Sequence, residues 1–71
     1  MPPQLQADLT PRELEVSTLI ASSKGTKQIA DLLNITFGTA VSHRRRIMSK
    51  LNAHNVTDLT WAAIRMGLIE V

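Results

Sequence analysis

The segment from Thr26 to Leu51 constrains the fold most, because its apolar residues follow a helical period that is interrupted only once. The apolar positions before the interruption are Ile29, Ala30, Leu32 and Leu33. Asn34 then stands where a tight turn often needs a left-handed residue, a conformation that asparagine tolerates better than most, and Ile35 is expected in the core. Thr36 is suited to cap a second, longer helix at about 37–51. The segment therefore predicts two helices joined by a tight turn.

A step of about 100° per residue divides the second of these helices into two sides. Ala40, Ile47 and Leu51 share the side that would pack inward. Arg44 is expected to extend partly inward, with its stem packed and its charged head near phosphate. The opposite side gathers Val41, Ser42, Arg45, Arg46 and Ser49. A hydroxylic and basic helix face of this kind is suited to base edges in the major groove of DNA, so we predict a helix-turn-helix at about 26–45.

Positive charge is concentrated in the same segment of the chain. The 71 residues carry a net charge of +2. Residues 24–50 alone contain six lysines and arginines and one acidic residue, Asp31, which gives this segment a net charge of +5. The segments before and after it are net negative. Such a distribution is typical of nucleic-acid binding, whereas charge taken alone would indicate only a solvated face.

Composition favours an all-α domain and excludes several functions. Phe37 and Trp61 are the only aromatic residues, so aliphatic side chains must build the core. The absence of cysteine excludes disulfides, thiol catalysis and thiolate metal sites. No apolar run approaches the roughly 20 residues of a membrane span, and the N-terminus does not resemble a signal peptide. We therefore expect a cytoplasmic protein without a membrane partner.

Nothing in the sequence indicates an enzyme. Glu13 and Glu15 could suggest paired catalytic carboxylates, but a helix cap occupies Glu13 and no partner groups lie near in sequence. No nucleophile–base pair, glycine-rich phosphate loop or metal-ligand spacing is present, and His54 has no second ligand at metal spacing. We expect neither catalysis nor a cofactor or metal.

The first helix has a complete start signal, after residues 1–8, which we interpret as a flexible arm or linker remnant. Thr10 and Glu13 form a capping box around Pro11, and Leu9 and Leu14 can close a hydrophobic staple. This helix is predicted to run to about Ser22.

A last helix is predicted at about 56–66, ended by Gly67. The side facing the core carries Leu59, Ala62, Ala63 and Met66. The opposite side carries Trp61, Ile64 and Arg65, with Leu68 just beyond. A small domain should not leave these apolar residues together in water without cause, so we favour a dimer interface. The alternative is that Trp61 folds over the edge of the core.

Four motifs resemble the LuxR/FixJ/NarL-type (GerE-like) helix-turn-helix domain of bacterial transcription regulators: LTPRELEV (9–16), KQIADLLNI (27–35), GTAVSHRRRIMSKL (38–51) and AAIRMGLI (62–69). The resemblance implies a tetrahelical domain over residues 9–71 that binds operator DNA as a homodimer, with the third helix in the major groove. In this family the domain usually follows a receiver or ligand-binding domain. We therefore expect the effector domain of a two-component response regulator or a stand-alone member, with RNA polymerase as a further candidate partner.

The resemblance also implies roles for individual side chains. Lys27, Thr36 and Thr39 would hold phosphates at helix ends. Base edges would face Val41, Ser42 and Arg45, and the DNA backbone would face Arg46 and Lys50. Ser49 lies on the same outer face. His43 lies at the boundary of that outer face. It could contact a phosphate or act as a pH-sensitive donor, or it could be a partly buried histidine that packs and caps.

Four positions depart from the family pattern. Ser23 stands where the first helix usually ends in glycine, with Gly25 two residues later, so the turn is expected to be shifted or reshaped. Val41 replaces a common lysine, which leaves Arg45 as the main direct reader and should flatten the salt dependence of binding by about one unit of slope. Phe37 replaces a polar residue or proline, and Arg46 replaces asparagine.

The sequence is also compatible with two other functions. The chain could be a protein-interaction module on a helix-turn-helix scaffold, with the Trp61 side as its binding surface. It could also be the promoter-binding region of a sigma-like factor, whose helices start similarly.

Overall fold

The computed structural model describes residues 9–70, which contain four α-helices and no strand. They are α1 (Pro11–Ala21), α2 (Thr26–Leu33), α3 (Phe37–Lys50) and α4 (Val56–Arg65). The predicted all-α class and the order of the helices are confirmed. The predicted arm at residues 1–8 lies outside the described residues. Across the described part of the chain, no helix has the length and apolar character to cross a membrane.

The start of α1 is fixed by the predicted capping box. The Oγ1 atom of Thr10 accepts a hydrogen bond from the Glu13 N–H at 3.1 Å, and Glu13 Oε1 accepts one from the Thr10 N–H at 2.9 Å. Two backbone donors that a helix start leaves unpaired are thereby satisfied reciprocally. Leu9 is buried beneath the cap and Leu14 packs against the core, as the predicted staple requires.

All four helices end in the same way, with one residue in the left-handed conformation followed by a hydrogen bond that spans six residues. The left-handed residues are Ser23 (φ 69°), Asn34 (56°), Asn52 (53°) and Gly67 (76°). The N–H groups of the next residues, Lys24, Ile35, Ala53 and Leu68, donate to the carbonyl oxygens of Leu19, Ala30, Met48 and Ala63 at 2.9–3.1 Å. The predicted conformation of Asn34 is confirmed.

The turn after α1 is not displaced to the nearby glycine. Ser23 itself takes the left-handed conformation, whereas Gly25 has a φ of −75° and precedes α2 as its N-cap residue. The Gly25 N–H donates to Gln28 Oε1 at 2.9 Å. A positive φ is energetically less favourable for serine than for glycine, so this turn is somewhat strained. Its position in the sequence is nevertheless unchanged.

One core joins the four helices. α1 packs against α4, α3 and α2, and α2 packs against α3. The largest apolar side chains that are fully buried in it are Val16, Ile29, Ile47 and Leu59. The predicted inner positions Ala40 and Ile47 on α3, and Leu51 directly after it, are all buried, which turns the opposite side of that helix toward solvent.

Two positions of the helix-turn-helix differ from the prediction. Leu32 is 60% exposed, whereas Leu33 packs against the core. The reason is angular: Ile29, Leu33 and Ala30 span an arc of about 100° around α2, and Leu32 falls outside it. Ile35, expected in the core, is only half-buried where the chain turns into α3.

Candidate nucleic-acid interface

The first turn of α3 is closed by two threonines. Thr36 Oγ1 accepts a hydrogen bond from the Thr39 N–H at 3.1 Å and donates one to Thr39 Oγ1 at 2.9 Å. Both side chains are exposed. The turn therefore presents hydroxyl groups beside the start of α3, where phosphate contacts are predicted.

A shallow groove runs along the outer side of α3. Its lining residues are Ser42, Arg45, Arg46, Ser49 and Lys50. The first four are exposed, and all five were predicted to contact DNA. Serine hydroxyls, guanidinium groups and an ammonium line the groove, and none of these residues is acidic. This chemistry complements phosphates and the acceptor atoms of base edges.

Two other cations lie on the α2 side of the interface. Lys27 Nζ is 3.9 Å from Asp31 Oδ2, and both side chains are largely exposed. An exposed ion pair of this kind contributes little to stability, so Lys27 can exchange Asp31 for another anion at low cost. Arg44 is half-buried, and its Nη1 donates to Thr26 Oγ1 at 3.4 Å. The predicted inward course of Arg44 is confirmed, but its head contacts the first residue of α2.

The sequence did not predict the ion pair between Lys50 and Glu13. Lys50 Nζ donates to Glu13 Oε1 at 2.8 Å, across 37 residues, and the Glu13 side chain is 2% exposed. Burial by itself raises the pKa of Glu13. The hydrogen bonds from Lys50 and from the Thr10 N–H, with the positive charges of Lys50 and Arg46, outweigh burial and hold that pKa below its usual value. The charge of Lys50 is thus largely compensated within the domain.

His43 and Val41 lie at the two edges of the outer face, and both are half-buried. The Nδ1 atom of His43 is buried and has no hydrogen-bond partner among the described residues. One side of the ring therefore faces the interior, in agreement with a histidine that packs. A phosphate contact through Nε2 stays a prediction.

Only some of the residues predicted to form a dimer surface on and after α4 are open to solvent. Trp61 is 55% exposed, so more than half of this residue is open to solvent. Arg65 is also exposed, and Ile64 is half-buried. Leu68, in contrast, packs against the core of its own domain. The surface open to a partner is therefore smaller than predicted and centres on Trp61.

Across residues 9–70, no group of three or more histidine or acidic side chains could hold a metal ion. The outer face of α3 instead gathers hydroxyl, guanidinium and ammonium groups along one groove. It can bind an extended anion through many donors at once.

Comparison with known proteins agrees with this geometry. Residues 7–63 match the family described as bacterial regulatory proteins, luxR family. Similar proteins include the uncharacterized response regulatory protein YgeK of Escherichia coli strain K12, 41% identical over 63 residues, which are 89% of this chain and 43% of that protein. The response regulator UvrY of the same strain is 40% identical over 62 residues, which are 87% of this chain and 28% of UvrY.

The oxygen regulatory protein NreC of Staphylococcus epidermidis is 39% identical over 62 residues, again 87% of this chain and 28% of that protein. The chain thus spans less than half the length of these relatives. The match of residues 7–63 covers α1, α2 and α3 completely and most of α4. The chain belongs to the luxR family of bacterial regulatory proteins.

Proposed function

We propose that this domain binds double-stranded DNA in a sequence-specific manner, with α3 in the major groove, and so regulates transcription. The observation that carries the proposal is the two-sided character of α3. Its inner side is anchored by Ala40, Ile47 and Leu51, and its outer side presents a groove lined by hydroxyl and cationic groups. Membership of the luxR family supports the same function, and the family match favours it over a sigma-like factor.

The side chains divide between reading and positioning. Arg45 and Ser42, exposed on the outer face, contact base edges, and Val41 adds an apolar contact. The phosphate backbone is held by Lys27, Thr36, Thr39 and Arg46, with Ser49 and His43 at the margin. Lys50 contributes less than predicted, because its ammonium is bound to Glu13.

The relatives suggest the setting in which this domain works. YgeK and UvrY are named as response regulators and are more than twice as long as the matched segment. We therefore place this domain as the effector part of a two-component response regulator or as a stand-alone member, with RNA polymerase as a candidate partner. The domain itself is not an enzyme.

Binding to DNA is tested by fluorescence anisotropy with a duplex selected from a random pool and with a random duplex. We expect both to bind at 50 mM salt and the selected duplex to bind more tightly. The logarithm of the binding constant should fall with the logarithm of salt concentration with a slope of roughly −3 to −5 per domain, as for a few phosphate contacts. Absence of binding at 50 mM salt contradicts the proposal and favours a protein-interaction module.

Two copies join through α4 when they occupy a two-fold operator. The supporting observation is Trp61, a large apolar side chain that is 55% exposed beside the exposed Arg65. Buried aromatic and arginine side chains are the usual anchors of protein interfaces. Joining two half-site contacts raises affinity through effective concentration, without any new contact to DNA.

Trp61→Ala should therefore weaken binding to paired half-sites by about tenfold or more and leave binding to a single half-site unchanged. Sedimentation with and without DNA, together with anisotropy on both duplexes, checks this. Leu32→Ala is the matched control, because Leu32 is equally exposed but lies on α2. Equal assembly of the Trp61→Ala variant and the unmodified domain contradicts the interface.

A further inference from the structure

Phe37 and Val41 form an apolar strip along one edge of the outer face of α3. They are separated by one helical turn, so their side chains lie on the same side of the helix. Phe37 is 57% exposed and Val41 is half-buried, and neither belongs to the buried core. Arg45 follows Val41 by one further turn, which makes the strip continuous with the main base-reading residue.

Gly38, next to Phe37, leaves the helix backbone bare at this edge. A Cβ atom built on Gly38 would meet nothing within 4 Å, so packing of the domain does not require glycine there. A glycine that the fold does not need, one helical turn before Val41 and Ser42, leaves space for another molecule to approach closely.

We infer that Phe37 and Val41 recognise the 5-methyl group of thymine at one or two positions of the half-site, beside the base read by Arg45. The inference rests on the proposed DNA binding and adds its base preference. The thymine methyl is the apolar group that base edges present in the major groove, and apolar side chains select it by contact. The charged head of a lysine at position 41 would instead favour the O6 and N7 acceptors of guanine.

The surroundings of the strip favour DNA over a protein as its occupant. Arg45 and Ser42 border it, and the groove behind them is lined by further donors. Two apolar side chains are far too few for a stable protein interface, which buries about 800 Å² on each partner. Beside a polyanion, however, the same small strip is brought against base edges by the neighbouring cations.

Deoxyuridine tests this directly, because it lacks the methyl group but keeps every hydrogen-bonding atom of thymine. In the half-site selected from a random pool, each thymine is replaced in turn and binding is measured by anisotropy. We expect affinity to fall about 3- to 5-fold at one or two positions, as for the loss of one buried methyl group. At the other thymines the change should be negligible.

The protein variants assign each methyl group to its side chain. In Val41→Ala, or in Phe37→Ala, the penalty for deoxyuridine at the corresponding position should disappear, because no contact remains to be lost. The polar variants Val41→Ser and Phe37→Gln should behave in the same way. Leu32→Ala should keep the full penalty, since Leu32 is equally exposed but lies outside the strip.

The outcomes separate this inference from the proposed function. A domain that selects a sequence but is indifferent to deoxyuridine at every position contradicts the inference alone. So does a penalty that persists unchanged in all four Phe37 and Val41 variants. A domain that selects no sequence from the pool contradicts the proposed function, and the inference falls with it.

Discussion

Lys50→Met should lower the free energy of unfolding by about 2–4 kcal/mol, although methionine keeps most of the length and the apolar stem of lysine. The loss of stability comes from Glu13, the acidic member of the ion pair, which stays buried after the substitution. Glu13 is 2% exposed, and without the ammonium its buried carboxylate keeps, among residues 9–70, one hydrogen bond from the Thr10 N–H and the more distant charge of Arg46. Removing one member of a buried ion pair costs about 3–5 kcal/mol, and the partial exposure of Lys50 reduces that figure.

Urea denaturation of both proteins at pH 7 measures the effect. Lys24→Met is the matched control, because Lys24 is exposed in the turn between α1 and α2. Its substitution should change stability by less than about 0.5 kcal/mol. A Lys50→Met variant that is as stable as the control would show that the ion pair contributes nothing to stability.

The pH dependence identifies the cause. In the folded domain the pKa of Glu13 is lowered, so its stabilising contribution is fully present above the unfolded pKa of about 4.3 and is lost as pH falls through the folded pKa. Lys50→Met removes two of the effects that lower this pKa. The stability difference between the two proteins should therefore shrink in acid. An equal difference at pH 7 and pH 3 would exclude the ion pair as its source.

The same ion pair helps to hold the helix that carries the proposed DNA contacts. Lys50 joins the last turn of α3 to the first turn of α1. Arg44, in the middle of α3, donates a hydrogen bond to Thr26, the first residue of α2. The outer face is thereby fixed in orientation by partners on two other helices. A preformed face loses less conformational entropy on binding.

The features that the sequence predicted are those whose chemistry lies within a few residues. The cap of Thr10 with Glu13, the left-handed Asn34 and the end of α4 at Gly67 are all short-range. The inner side of α3 was also predictable, because Ala40, Ile47 and Leu51 recur at the helical period. These local signals suffice for the order of the helices and for the outer face of α3.

The features that the sequence did not predict depend on how the helices pack. Glu13 was correctly assigned to a cap, but its second partner lies 37 residues away and comes close only when α1 packs on α3. Leu68 looked like a surface residue beyond α4, but the chain folds back after Gly67 and packs it on the core. Leu32 is one of the four apolar residues in the sequence of α2, but only Ile29, Ala30 and Leu33 lie on the arc that faces the core.

Arg45→Ala should cost about 1–3 kcal/mol of binding free energy on the selected half-site and much less on random DNA, because a bidentate contact to a base exists only on the correct sequence. Arg46→Ala is the neighbouring comparison. It should weaken binding to both duplexes equally and reduce the salt slope by about one unit, as for a phosphate contact. Thermal unfolding of both variants is needed as well, since the charge of Arg46 also acts on Glu13.

Anisotropy on selected and random duplexes at two salt concentrations distinguishes the two arginines. The expected pattern is a loss of preference at one base pair for Arg45→Ala and a uniform loss for Arg46→Ala. Both guanidinium groups line the same groove, but Arg45 continues the turn-by-turn row from Phe37 and Val41, whereas Arg46 is rotated about 100° away. Equal losses of Arg45→Ala on both duplexes would reassign Arg45 to the backbone and leave base reading to Ser42 and the apolar strip.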